Sequence, residues 1–316
     1  MNLIICQSPL QILIAEKIIA TYPNDVFYGL MICCIENSKY QYYYQRLKSK
    51  CEKCELIYTH KPYKKWAFYK LVFKRLFKLH NLSQVKKIFL TNTTAEIMQI
   101  YIGDAKNADI ITFDDGLANI NIEDNFLIRE RPLRSRTKFL QYFMRIPTVK
   151  DILAKQVKHY SIYNLPNIMG KYEKISLFET PNYEQDYNEV VNILLGQPIY
   201  ENSKNGEQRN IALIEKVFTN YHIDFYYPHP RENYKINQAP YINTKLIFED
   251  WIIQQTQKYP QKQYRLYTFF SSAAINLIDM PNIEVIALNP KDCPENFLPL
   301  YTIFKKLNIE VRNINY

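Results

Sequence analysis

Short, almost wholly apolar runs recur through this chain at intervals that leave room for one helix between each pair. In the first half these runs fall at residues 2–6, 26–33, 55–58, 87–91 and 109–113. They lack the in–out alternation of a half-solvated strand, so they read as strands covered on both faces, the habit of parallel sheets. Amphipathic stretches at 11–22, 40–50, 66–80 and 95–102 supply the crossovers. A β-α-β-α-β series of this kind gives a parallel, doubly wound sheet. A polar, proline-bearing zone at 179–188 then reads as a linker, after which the pattern restarts. Strands are expected at 191–196, 223–227, 264–269 and 285–288, and helices at 207–220, 248–258, 271–278 and 295–306, ahead of a last strand-like run. With 316 residues there is material for two cores. The expected class is α/β: two Rossmann-like, doubly wound domains facing across a cleft, at residues 1–180 and 189–316, with the last helix available to pack back on the first domain.

Several function classes lose support on the same reading. No GxGxxG and no P-loop occurs, which removes the usual dinucleotide and NTPase signatures. The six cysteines are scattered, and Cys51 to Cys54 is a single CxxC without the second pair that a structural zinc site needs. The first apolar run is followed by Gln11, Glu16 and Lys17, unlike a signal peptide, and no run reaches the ~18 apolar residues of a membrane span, so a cytoplasmic protein is expected. Net charge is +9, and the excess clusters. Lys70, Lys74 and Lys78 share one helical face beside Trp66, Phe73 and Phe77, and a second basic run covers 129–145. A core helix with solvated lysines explains this, and so does contact with an anionic surface, either the inner membrane or nucleic acid. Charge alone does not choose.

The residues with chemistry sit where strands end. In Tyr226-Tyr227-Pro228-His229-Pro230-Arg231-Glu232, one of five histidines lies between two prolines, beside an arginine. Proline cannot donate to a sheet ladder, so the strand stops and the imidazole is carried on a stiff turn. Histidine exchanges a proton near neutral pH, and arginine holds phosphate. Phe113-Asp114-Asp115-Gly116 places two carboxylates at another strand end. Successive strand residues face opposite ways, so one of the pair can face a cleft while the other satisfies backbone donors. Tyr267-Thr268-Phe269-Phe270-Ser271-Ser272 runs a strand into paired serines, which suits a helix cap and a phosphate. Gly196-Gln197-Pro198 shapes a loop leading to Glu201, and Glu249-Asp250 opens a helix, where acids complement the dipole or bind ribose hydroxyls.

Taken together these segments resemble bacterial sialyltransferases of glycosyltransferase family 52, the lipooligosaccharide α-2,3-sialyltransferase type. The resemblance spans nearly the whole chain. It is carried by Asn2-Leu3-Ile4-Ile5-Cys6 with Leu10-Gln11, Phe113-Asp114-Asp115-Gly116, Leu194-Leu195-Gly196, Pro228-His229-Pro230-Arg231, Phe248-Glu249-Asp250 and Tyr267-Thr268-Phe269-Phe270-Ser271. It implies a GT-B fold and an inverting transfer from CMP-sialic acid to a terminal galactose of a lipooligosaccharide or capsular glycan, with no metal and no cofactor. It also implies a C-terminal domain that holds the nucleotide, and relatives of this kind can form homodimers. By position, His229, Pro230, Arg231, Glu249, Thr268, Phe269, Ser271 and Ser272 would bind CMP, with a protonated His229 assisting departure of the phosphate. Gln11, Asp114, Gly196 and Gln197 would lie on the acceptor or sugar side. The general base would be Glu201, in the loop after Leu-Leu-Gly, or Asp115, the second acid of the Asp-Asp-Gly turn. A glycosyltransferase of the same fold using another donor, such as UDP-glucose, is the alternative. A nucleic-acid-binding module would leave the His-Pro and Ser-Ser turns unexplained.

Overall fold

A computed structural model describes residues 1–59, 84–95, 98, 99, 102, 103, 105, 107–120, 142, 146–179 and 186–315. The helix expected at 66–80, its lysine face and most of the basic run at 129–145 lie outside the described residues. The chain divides into two compact units, Met1–Leu177 and Phe178–Tyr316. Each is built on an all-parallel sheet, as expected for the α/β class.

The first unit contains β1 (Asn2–Cys6), α1 (Pro9–Ala20), β2 (Phe27–Cys33), α2 (Ser38–Lys50), β3 (Lys53–Tyr58), β4 (Lys87–Leu90) and β5 (Asp109–Phe113). These are followed by α3 (Val149–Ala154), β6 (Gln156–Ser161) and β7 (Glu173–Lys174). All five residues of β1 and all seven of β2 are buried, which is why they read as unbroken apolar runs. Helix α1 starts where Ser8 caps it, accepting from the Gln11 amide, with Pro9 at the first turn, where its missing N–H is harmless. The strand order is β3-β2-β1-β4-β5-β6-β7. That is a Rossmann order, with its switch point between β1 and β4. α3, β6 and β7 are elements that the sequence pattern did not indicate. β6 reads Gln156-Val157-Lys158-His159-Tyr160-Ser161, too polar for the apolar-run criterion.

The second unit contains β8 (Glu189–Leu195), α4 (Gly206–Tyr221), β9 (Phe225–Tyr227), α5 (Phe248–Lys258), β10 (Lys262–Thr268), α6 (Ser272–Ile275), β11 (Ile283–Pro290), α7 (Leu298–Lys306) and β12 (Glu310–Ile314). Its order, β12-β11-β10-β8-β9, puts a switch point between β8 and β10. The core gathers Leu194, Leu213, Val217, Tyr226, Phe269, Ile286 and Leu288. Helix α7 is tied to its own sheet, since Tyr301 Oη donates to the Leu288 carbonyl at 2.8 Å. The helix expected at 271–278 is only four residues long. Beyond it the Leu277 and Met280 amides bond three residues back, a tighter turn than an α-helix. Among the described residues, no helix is long and apolar enough to cross a membrane.

Candidate active site

In doubly wound sheets ligands bind beyond the carboxyl ends of the strands, at the switch point. In the second unit three strand ends meet there. The Gly196 amide, just past β8, donates to the Tyr227 carbonyl of β9 at 2.9 Å. Gln197 Oε1 accepts from the Phe270 amide just past β10 at 2.6 Å. Gly196 and Gln197 therefore join the histidine turn to the serine turn.

The histidine turn is closed by a residue that was not assigned a role from the sequence. Glu232 Oε1 accepts from the His229 amide at 2.9 Å, its Oε2 accepts from Tyr226 Oη at 2.7 Å, and its own amide donates to the His229 carbonyl at 2.9 Å. A Cβ at Gly196 would collide with Tyr226 Oη and Glu232 Oε1 and lie 2.7 Å from Tyr226 Cζ, so only glycine lets the carboxylate pack there. Burial raises the Glu232 pKa, opposed by the hydrogen bonds from the His229 amide and Tyr226. The signal available in the sequence was an acid three residues after a histidine in a proline-bounded turn.

His229 itself is half-buried. Its Nδ1 accepts from the Arg231 amide at 3.1 Å, which leaves Nε2 to carry the proton of a neutral ring. Burial, then the nearby Arg231 charge, lowers its pKa to about 4. This environment favours the neutral ring, with Nε2 as the nitrogen that carries its proton. An anion arriving at Nε2 would favour the charged form.

Glu201 sits beside this turn. Ile199 and Tyr200 are buried, Tyr200 Oη donates to Asp292 at 2.6 Å and the Tyr200 amide donates to Asn210 at 3.1 Å, so the loop is anchored on both sides. Glu201 emerges to meet Arg231, with Nη1 donating to Oε1 at 2.6 Å. Arg231 thus links the two, its guanidinium meeting the Glu201 carboxylate and its backbone amide meeting the His229 ring.

At the serine turn, the Ser271 side chain caps the Ala273 amide at 3.3 Å and the Ser271 amide donates to Thr268 Oγ1 at 2.9 Å. The helix that follows, α6, is only four residues long and carries little dipole. Thr268 and Phe269 are fully buried: Thr268 holds the turn and Phe269 fills the core. Pro230 is exposed on the histidine turn. Glu249, in the first turn of α5, is buried and accepts from Asn276 Nδ2 at 2.9 Å.

The two adjacent acids of the first unit separate in role. Asp114 is fully buried. Its Oδ1 accepts from His159 Nε2 at 3.0 Å and Asn167 Nδ2 at 3.1 Å, and its Oδ2 accepts from Ser161 Oγ at 2.7 Å and the Ile162 amide at 2.8 Å. His159 Nδ1 in turn meets Thr112 Oγ1 at 2.8 Å. Asp114 therefore ties β5 to β6, with both carboxylate oxygens engaged. Asp115 turns the other way. Its Oδ1 accepts from Gln11 Nε2 at 2.7 Å, and its amide donates to Asn119 Oδ1 at 2.9 Å. Burial raises its pKa against the Gln11 bond, and the Asp114 charge adds to the rise. Gln11 is itself buried and also accepts from the Gln7 amide at 2.5 Å.

Among the described residues no group of three or more His, Cys, Asp or Glu is placed to hold a metal ion. Cys51 and Cys54 are thiols pushed up to about 12 by burial, not ready thiolate ligands.

The model of a family described as Glycosyltransferase family 52 matches residues 24–292. A Pasteurella multocida (strain Pm70) protein named CMP-N-acetylneuraminate:beta-galactoside alpha-2,3-sialyltransferase is 36% identical over 317 residues, covering 99% of each chain. Proteins named N-acetyllactosaminide alpha-2,3-sialyltransferase are also similar. That of Haemophilus influenzae is 34% identical, covering 90% of this chain and 91% of its own, and that of Neisseria meningitidis is 31% identical, covering 98% and 85%. The solved GT-B domain of a Photobacterium damselae sialyltransferase aligns over all of both chains at 8% identity and TM-score 0.45, too weak a likeness to argue from.

Proposed function

The chain belongs to glycosyltransferase family 52, and on that premise we propose that it transfers sialic acid from CMP-sialic acid to a terminal galactose, forming an α-2,3 linkage with inversion. Three relatives that match at least 85% of their own length carry α-2,3-sialyltransferase names, two of them with N-acetyllactosaminide as the named acceptor. The observation that carries the mechanism is the run Glu201–Arg231–His229 at the switch point of the second unit, with the Ser271–Ser272 turn joined to it through Gln197.

The leaving group departs from an anomeric carbon through an oxocarbenium-like state, by analogy with glycoside hydrolysis. Negative charge grows on the phosphate. Arg231, His229 Nε2–H and the hydroxyls of Ser271 and Ser272 are donors of the kind that stabilise such charge. Glu249 serves the nucleoside. A carboxylate must take the proton of the attacking hydroxyl, and Glu201 is assigned as this base because it lies on the same run as the leaving-group donors. Its pairing with Arg231 would hold it in place until phosphate competes for the guanidinium. Asp115, with its raised pKa, is the second candidate, on the acceptor side with Gln11.

The test is a donor panel of CMP-sialic acid and UDP-sugars with a β-galactoside acceptor. Formation of an α-2,3-sialyl product from CMP-sialic acid alone is expected, and transfer only from a UDP-sugar would refute the reading. For the base, Glu201→Gln should lose about 10²–10⁴-fold in kcat at unchanged CMP affinity, and Asp115→Asn less. The reverse ranking would transfer the role to Asp115.

A further inference from the structure

We infer that Glu232 is a positioning residue, setting His229 for its contact with the departing phosphate. The inference rests on the proposed role of His229 and concerns a residue outside it. Both carboxylate oxygens accept from donors on the strand that carries the histidine, Oε1 from the His229 amide and Oε2 from Tyr226 Oη. The Glu232 amide returns a bond to the His229 carbonyl, so the four residues from 229 to 232 close into a ring. Arg231, inside that ring, fixes the imidazole through its amide on Nδ1. Glu232 fixes the backbone, and the Arg231 amide fixes the ring on it.

The same carboxylate also sets the turn against the neighbouring strand. It packs on the bare Cα of Gly196, whose amide is bound to Tyr227. Gly196 leads into the loop that carries Glu201. A change in the length or charge of residue 232 would therefore shift the His229 turn relative to that loop.

Stability alone does not explain this choice of residue. Among the described residues no cation pairs with Glu232, and a half-buried carboxylate without a cation opposes folding unless hydrogen bonds offset its desolvation. Two donors aimed at one side chain require two acceptor sites. A carboxylate offers them, while the amide of glutamine offers one carbonyl and adds a donor.

The test is a double-mutant cycle between Glu232→Ala and His229→Ala, with Glu232→Gln as the conservative variant. Sialyl transfer is measured as kcat and KM on protein whose folding is checked by thermal unfolding. In the parent background Glu232→Ala should lower kcat by about 10–100-fold, the scale of an ångström-sized misplacement, with acceptor KM within about twofold. Glu232→Gln, which keeps the acceptor for the His229 amide, should recover most of the loss. In the His229→Ala background Glu232→Ala should cost less than about twofold, because nothing remains to be positioned. An equal loss in both backgrounds overturns the inference and leaves Glu232 a structural residue. If Glu232→Ala fails to fold, the same cycle run with Glu232→Asp, which keeps the charge but shortens the reach to both donors, decides by the same criterion. Retention of turnover by His229→Ala alone would instead refute the role of His229.

Discussion

Replacing Gly196 by alanine adds one methyl group where the second unit has no room for it. The new Cβ would lie 2.7 Å from Tyr226 Cζ and closer still to Tyr226 Oη and Glu232 Oε1. Tyr226 is fully buried, with Phe218 edge-on at 5.6 Å and Tyr241 at 5.3 Å, so its ring cannot simply swing aside. Overpacking a filled core costs about 1–3 kcal/mol. Parting Tyr226 from Glu232 strands a buried hydroxyl and a carboxylate oxygen, which adds about 1–3 kcal/mol. Gly196→Ala should therefore destabilise the second unit by about 2–6 kcal/mol, and its unfolding midpoint should fall by about 7–20 °C. The backbone at Gly196 is not in the left-handed region, so the effect comes from space and not from φ. Scanning fluorimetry and urea titration measure the loss, and titration calorimetry with CMP measures its reach into the site. A midpoint within about 2 °C of the parent, with CMP affinity unchanged, would show that this junction yields easily and would refute the close-packed reading.

Other expectations follow from the same geometry. NMR titration should place His229 near 4, and Arg231→Ala should raise that value by removing a like charge; a parent value near 6.5 would contradict the desolvation of the ring. Because the folded pKa lies below the unfolded one, the unfolded chain takes up the proton first. His229 should therefore reduce stability as pH falls from about 6.5 to about 4, so the parent should lose stability relative to His229→Gln between pH 7 and pH 5 in urea melts. Asp114→Ala strands His159, Ser161, Asn167 and the Ile162 amide, and should cost about 3–5 kcal/mol in the first unit while CMP affinity holds; a loss below about 1 kcal/mol would remove Asp114 as an anchor.

Much of the architecture was legible because strands buried on both faces leave continuous apolar runs, as in β1 and β2. β6 escaped because Lys158 and His159 interrupt its run, yet His159 is fully buried and spends both ring nitrogens on Thr112 and Asp114. The short α6 escaped because its serines and alanines read as a helix start, and nothing local to that start shows where the helix ends. At the site, proline spacing identified the His229 turn and strand alternation separated Asp114 from Asp115. The full burial of Thr268 and Phe269 was not legible, because a motif names positions without their burial.

The order of residues along the chain determined where strands stop and which side chains stand at their ends, because apolar runs, prolines and glycines act over a few residues. Only the tertiary structure decided which ends meet. Glu201 reaches Arg231 across 30 positions and Gln197 reaches Phe270 across 73. Those pairings come from β8 lying between β9 and β10, a lateral order that no local pattern encodes. The same packing sets the lowered pKa of His229, since desolvation and the neighbouring guanidinium depend on what surrounds the ring in three dimensions.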